Sequence, residues 1–276
     1  MTSSRRYDNL SASILIADIR NFTPNLRDSE RSTTSHLIFC EFLSDFYRTC
    51  VDACTISCAP GDKSLYINST GDGILGVFLS EKRHYVDAYL AGIMLFNKLP
   101  ALFKAYNRKK HKRVPDVSFG IGIDSGSVWR VTSADEDPLD QPVIQTYIGD
   151  CINIAARVES VTKEHDRTNL IVSENTYQFL CQDLFDINYA NLMNQATDKS
   201  LTGKKKKQIW DKMNKLDEHL LLRFISAYNL RGVSRPIRLY RLSPTLASPK
   251  RPECRKLLKA LSQGSSHYKS VCGYIQ

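Results

Sequence analysis

Lys63-Ser64-Leu65-Tyr66-Ile67-Asn68-Ser69-Thr70-Gly71-Asp72-Gly73-Ile74-Leu75-Gly76-Val77-Phe78-Leu79 contains two apolar, β-prone runs on either side of a Gly-Asp-Gly turn. This predicts a β-hairpin with strands over Lys63 to Ser69 and Ile74 to Leu79. Upstream, Leu37, Ile38, Phe42, Phe46, Cys50, Val51 and Cys54 form a helical stripe between Thr34 and Cys58. Before it, Thr23-Pro24 reads as a helix start with Thr23 as N-cap, and Ser13 to Asp18 as a short buried strand. Downstream of the hairpin, Tyr85 to Tyr106 reads as a helix. Val117 to Asp124 and Val128 to Thr132 then read as paired strands around Ser125-Gly126. Asp135 to Pro142 is acidic and proline-bearing, an exposed loop. Strand Val143 to Ile148, helix Asp150 to Thr162, strand Asn169 to Val172 and a helix opened by Ser173 follow. Strands recur at Phe224 to Leu230 and Ile237 to Leu242. The β-α-β-β-α-β order predicts one mainly antiparallel sheet with helices on one face.

That order is an α+β, ferredoxin-like split βαβ arrangement. It would occupy residues 1–242, interrupted by an insertion at 188–222 that carries the run Lys204-Lys205-Lys206-Lys207, read as a solvated loop, and a polar helical stretch from Trp210 to Leu222. Residues 243–276, rich in Ser, Pro, Lys and Arg, read as a basic, poorly ordered tail. Charge follows the same division. Of the net +9, the segment from Arg238 onward holds +7 and the body only +2. A near-neutral body whose basic runs lack interleaved aromatics does not read as a nucleic-acid binder. No stretch approaches the roughly 18–20 apolar residues of a membrane span. Eight cysteines occur without a Cys-x-x-Cys pair. Cys50, Cys54 and Cys58 share one helical face, as small buried apolar side chains or, alternatively, a metal or redox cluster. A reduced, cytoplasmic setting is the expectation.

Asp18 closes the first strand and Asp72 sits in the hairpin turn. Split βαβ folds bring those two places together, so the carboxylates can converge. Two such oxygen donors suit a pair of Mg²⁺ or Mn²⁺ ions holding a triphosphate. Ile19 to Thr23 offers free amides at a helix N-terminus, a phosphate cradle. On spacing alone, the two aspartates are also read as a strand-end residue and an ordinary hairpin turn.

Ala17-Asp18-Ile19-Arg20-Asn21-Phe22-Thr23 resembles the first metal motif of class III nucleotidyl cyclases, and Gly71-Asp72-Gly73 with Val77-Phe78 resembles the second. Gly120-Ile121-Gly122-Ile123-Asp124-Ser125-Gly126 is similar to that family's central strand and turn. Tyr147-Ile148-Gly149-Asp150-Cys151-Ile152-Asn153-Ile154-Ala155-Ala156-Arg157-Val158-Glu159 resembles its helix bearing the transition-state Asn and Arg. Leu230-Arg231-Gly232, Pro236 and Tyr240 resemble the terminal segment. The resemblance implies cyclisation of a nucleoside triphosphate to a 3′,5′-cyclic nucleotide and pyrophosphate. It assigns two divalent cations, Mn²⁺ or Mg²⁺, to Asp18, Asp72 and the backbone carbonyl of Ile19. Asn153 would orient the ribose, Arg157 would stabilise the transferring phosphoryl group, and Arg231 would bind the triphosphate where the family usually has Lys. Asn21, Phe22, Thr23 and Gly71 would contact substrate. The family's two half-sites come from different protomers, which implies a head-to-tail homodimer.

The base-reading positions depart from the family pattern. Asn68 stands where adenine-specific members usually have Lys, and Thr146 occupies the second reading position. Tyr66, two residues upstream on the same strand face, would narrow the pocket or pack in the sheet. The motifs begin within about a dozen residues of Met1, read as a free-standing enzyme. In these respects the chain is similar to the pyrimidine cyclases of bacterial Pycsar antiphage systems, whose cyclic UMP or cyclic CMP drives an effector. An adenylate cyclase with an atypical pocket and an inactive cyclase-like regulatory partner are the alternatives.

Overall fold

The computed structural model describes residues 7–59, 64–132, 145–165 and 169–275. The expected loop at Asp135 to Pro142, Lys63 and Val143 lie outside them. At the centre is strand β1 (Tyr7–Arg20), which is apolar on both faces. Leu15, Ala17 and Ile19 enter one core, while Ala12 and Ile14 enter another. β1 pairs along its length with β4 (Ser118–Thr132) on one side and with β3 (Gly73–Phe78) on the other. β2 (Leu65–Ser69) completes the expected hairpin with β3. Beyond β4 come β6 (Leu170–Ser173), β8 (Ile237–Leu242) and β7 (Leu222–Tyr228), while β5 (Gln145–Ile148) pairs with the far end of β4. Among the described strands only the β4–β6 ladder is parallel.

Helices pack on both faces of the sheet, not on one as the element order suggested. Helices α2 (Thr33–Ser57) and α3 (His84–Lys109) bury Phe39, Phe46, Leu90 and Ile93 against the Leu15 side. Short helix α1 (Phe22–Ser29) links β1 to α2. Helix α4 (Asp150–Val161) lies across the opposite face, burying Cys151 and Ala155 with Ile14, and Val158 with Ile171. The physical reason is in β4. Ser125-Gly126 reads as a turn, yet β4 runs unbroken through it. A Cβ on Gly122 would strike the Ala155 carbonyl oxygen and the Glu159 amide, and one on Gly126 would crowd Cys151. These glycines let α4 approach the strand; they do not reverse the chain.

Three further expectations differ. The cap of α1 is Asn21, in the left-handed region at φ 59°, and not Thr23. Its Nδ2 donates to the Asp116 carbonyl at 2.8 Å, and Asn tolerates that backbone conformation. The lysine run is the first turn of helix α7 (Gly203–His219), not a loop. With α6 (Tyr189–Thr197), that helix is joined to the core through Met213 and Leu216. Tyr177, on α5 (Glu174–Phe185), donates its hydroxyl to Asp217 at 2.5 Å. The tail is ordered. Helices α8 (Pro252–Leu261) and α9 (Gly264–Ile275) follow β8. In α8, Cys254, Leu257, Leu258 and Leu261 make a buried i, i+3, i+4, i+7 stripe, a periodicity that composition conceals. Arg83 donates to the Leu261 carbonyl, and the Tyr274 hydroxyl donates to that of Thr49 at 2.6 Å.

Cys50, Cys54 and Cys58 are buried side chains of α2 and its end, and burial pushes the Cys50 and Cys54 thiols up. Among the described residues α3 is the one helix long and apolar enough to cross a membrane, but 67% of its apolar window is buried inside the fold.

Candidate active site

β1 ends beside the β2–β3 turn, so residues 54 positions apart in the chain meet there. Asp18 is in register with Gly73, and the Ile19 amide donates to the Asp72 carbonyl at 2.8 Å. Gly73 is required at this crossing, because a Cβ there would strike the Ala17 carbonyl. Gly71, at φ 92°, makes the turn in a conformation that side chains disfavour. The Tyr47 hydroxyl, from α2, donates to the Gly71 carbonyl and ties the turn to the helix.

Together these elements border a cleft of about 530 Å³, lined by Asp18, Asp72, the run from Ile19 to Pro24, Ser118 and Lys163. The start of α1 opens into it with no side-chain cap on its first amides. Uncapped amides and the positive end of the helix dipole favour an anion. Asp18 is pushed up to about 6, first by burial, then by the neighbouring charges of Glu159 and Asp72. Lys163 Nζ opposes this from 3.7 Å, and lies equally far from Glu159 Oε2. Burial raises Glu159, with Lys163 and Arg20 working against the rise. Arg20, itself part of the cleft lining, donates to Thr162 Oγ1.

The donor set fits hard divalent cations: two carboxylates at one mouth, all-oxygen, with the repulsion among Asp18, Asp72 and Glu159 only partly offset by Lys163 and Arg20. Among the described residues no three His, Cys, Asp or Glu side chains form a cage. Cations of the magnesium type need none, since they are held by one or two carboxylates together with substrate phosphates.

The other sequence-predicted residues do not line this cleft. Tyr66 reaches from β2 to β5: its hydroxyl donates to the Gln145 carbonyl at 3.3 Å and its ring lies 5.1 Å from that of Tyr147. Thus β2, which carries Asn68, and β5, which carries Thr146 between the two residues that Tyr66 touches, are linked through Tyr66 although they do not pair in the sheet. Asn68 and Thr146 are both exposed. Asn153 is exposed on α4. Arg157, one turn on, lies beside Gly232, its Nη1 and Nη2 each 3.6 Å from the place of a Cβ there. Among the described residues the buried Arg157 Nη1 has no hydrogen-bond partner. Arg231, next to Gly232, is exposed. Within one chain, therefore, Asp18, Asp72 and the start of α1 share one cleft, and Asn68, Thr146, Asn153, Arg157 and Arg231 lie outside it.

Sequence reasoning missed Lys163, Glu159, Arg20 and Tyr47. The i, i+4 spacing of Glu159 and Lys163 was a usable signal for an ion pair at the end of α4. Nothing in the spacing of Tyr47 pointed to the Gly71 turn.

In this sheet α4 crosses one face and the Asp18–Asp72 junction lies where central strand β1 ends beside the β2–β3 turn. The chain has the fold of the catalytic domains of class III nucleotide cyclases. The adenylyl cyclase CyaB from P. aeruginosa superposes with a TM-score of 0.55 at 16% identity, covering 86% of this chain and 95% of that one. The guanylyl cyclase Cya2 gives 0.51 at 19% identity, over 88% and 94%. In sequence, an adenylate cyclase from Anabaena cylindrica is 29% identical over 176 residues, which is 63% of this chain and 32% of that protein. The match thus spans about a third of the relative's length. No family model matches the chain.

Proposed function

We propose that the chain is a nucleotidyl cyclase that converts a pyrimidine nucleoside triphosphate, UTP before CTP, to its 3′,5′-cyclic nucleotide and pyrophosphate. The observation that carries this reading is the meeting of Asp18 and Asp72 beside the uncapped amides of α1, within a cyclase fold. Asp18, Asp72 and the Ile19 carbonyl would hold two Mn²⁺ or Mg²⁺ ions. When bound, these supply charge neutralisation at the triphosphate and a lowered pKa for the attacking 3′-hydroxyl. Residues Asn21 to Thr23, with Gly71, receive phosphate oxygens. Asn153 orients the ribose for in-line attack on the α-phosphorus. Arg157 brings to the charge that builds there a guanidinium whose buried Nη1 no described residue satisfies. Arg231 grips the triphosphate in forked geometry.

The separation of the two residue sets within one protomer supports a head-to-tail homodimer in which each copy completes the other's site. Tyr66, Asn68 and Thr146 would face the base, and the uncharged donor/acceptor pair Asn68/Thr146 suits a pyrimidine's mixed edge. By the same resemblance, the product would signal to a cyclic-nucleotide-responsive effector in antiphage defence, in the cytoplasm. The identity with the Anabaena adenylate cyclase favours cyclic AMP as the alternative product.

The test is purified protein with Mn²⁺ and each of the four NTPs, with products resolved by mass. Fastest conversion of UTP or CTP is expected. Equal or faster conversion of ATP would overturn the base assignment, and no cyclic product from any NTP would leave a cyclase-like regulatory partner.

A further inference from the structure

Lys163 belongs to none of the motif residues; it sits in the 3-10 turn Thr162–Glu164 that follows α4. Its ammonium bridges two carboxylates of very different surroundings. The Glu159 side chain is 4% exposed and that of Asp18 is 21% exposed, while Lys163 itself is 48% exposed. One end of the bridge is therefore fixed in the protein and the other is a candidate metal ligand at the cleft mouth. Glu159 does not depend on Lys163 alone, because Arg20 also lies within electrostatic reach of it. Lys163 can thus leave Asp18 without stranding a buried charge.

We propose that Lys163 is a positioning residue that holds Asp18 in the metal-free cleft and releases it when a divalent cation enters together with a triphosphate. The inference rests on the two-cation reading above. A cation entering alone meets an ammonium already paired with its ligand. A cation entering with a triphosphate brings net negative charge, and the long lysine stem can swing its head to phosphate oxygens. Lys163 therefore opposes the first event and assists the second.

Those opposite signs are the test, and neither needs turnover or a known base. Mn²⁺ binding is followed by the loss of its free-ion electron paramagnetic resonance signal, with and without inorganic tripolyphosphate. Lys163→Gln should bind Mn²⁺ alone about two- to five-fold more tightly than wild type, the range for so exposed an ion pair. In saturating Mn²⁺ it should bind tripolyphosphate more weakly, by a similar factor. Lys163→Arg, which keeps the charge, should stay near wild type in both. Lys163→Gln binding Mn²⁺ no more tightly, or tripolyphosphate no more weakly, would overturn the proposal. Asp18→Asn separates the two levels. If wild type and Asp18→Asn bind Mn²⁺ equally, the metal reading itself fails. If binding needs Asp18 but ignores Lys163, only this inference fails.

Discussion

Replacing Asp18 with Asn should make the metal-free protein more stable, even as it disables the site. In the fold the carboxylate is crowded by burial, Glu159 and Asp72, and its pKa rises from 3.8 to about 6. A raised folded-state value means that the native state holds its proton where the unfolded chain has lost it. The advantage of holding it is complete below the unfolded value of 3.8 and is lost as pH rises through about 6. Above that, the ionised carboxylate is a standing penalty. Two pKa units correspond to roughly 3 kcal/mol, and screening at a half-buried group reduces this to about 1–2 kcal/mol. For a chain of this size the melting temperature should rise by roughly 2–4 °C. The assay is thermal and urea unfolding of wild type and Asp18→Asn in chelator, at about pH 8 and about pH 5. At the higher pH the variant should be the more stable; at the lower pH, where Asp18 is largely protonated, the gap should close. Excess Mn²⁺ should stabilise wild type only. A variant less stable than wild type at the higher pH, or a gap equal at both, would refute the reasoning.

Gly122→Ala should separate α4 from the sheet, since the new methyl would meet the backbone at Ala155 and Glu159. A loss of about 1–3 kcal/mol in urea unfolding is expected, and kcat should fall because Asn153 and Arg157 ride on that helix. Leu258→Ala, at a position 1% exposed in α8, should cost about 2–5 kcal/mol; unchanged stability in urea would return the segment to a loose tail.

The hairpin and the first strand were legible because each uses a local signal: Gly71-Asp72-Gly73 marks the turn, and an apolar run ending in Asp18 marks a buried strand. Their meeting was legible too, since the split βαβ order leaves few places for them to go. Gly126 misled because glycine marks both turns and close packing, and only the position of α4 tells the two apart. The tail misled through composition, its lysines and serines outweighing a four-residue stripe from Cys254 to Leu261. Lys163 was hidden for another reason. Its partner Asp18 lies 145 residues away in the chain, and the ion pair exists only because α4 crosses β1 and β4 on the face where Gly120 and Gly122 make room.

The central claim is that one chain carries both halves of a cyclase site but completes it only against a second copy. Asp72→Ala removes one half and Arg157→Ala the other, so each variant alone should be silent. Mixed in equal amounts after subunit exchange, half of the dimers should be hybrid, each with one intact site. Roughly a quarter of the wild-type rate should return. A mixture as silent as its parts, from variants that fold and dimerise normally, would contradict the account.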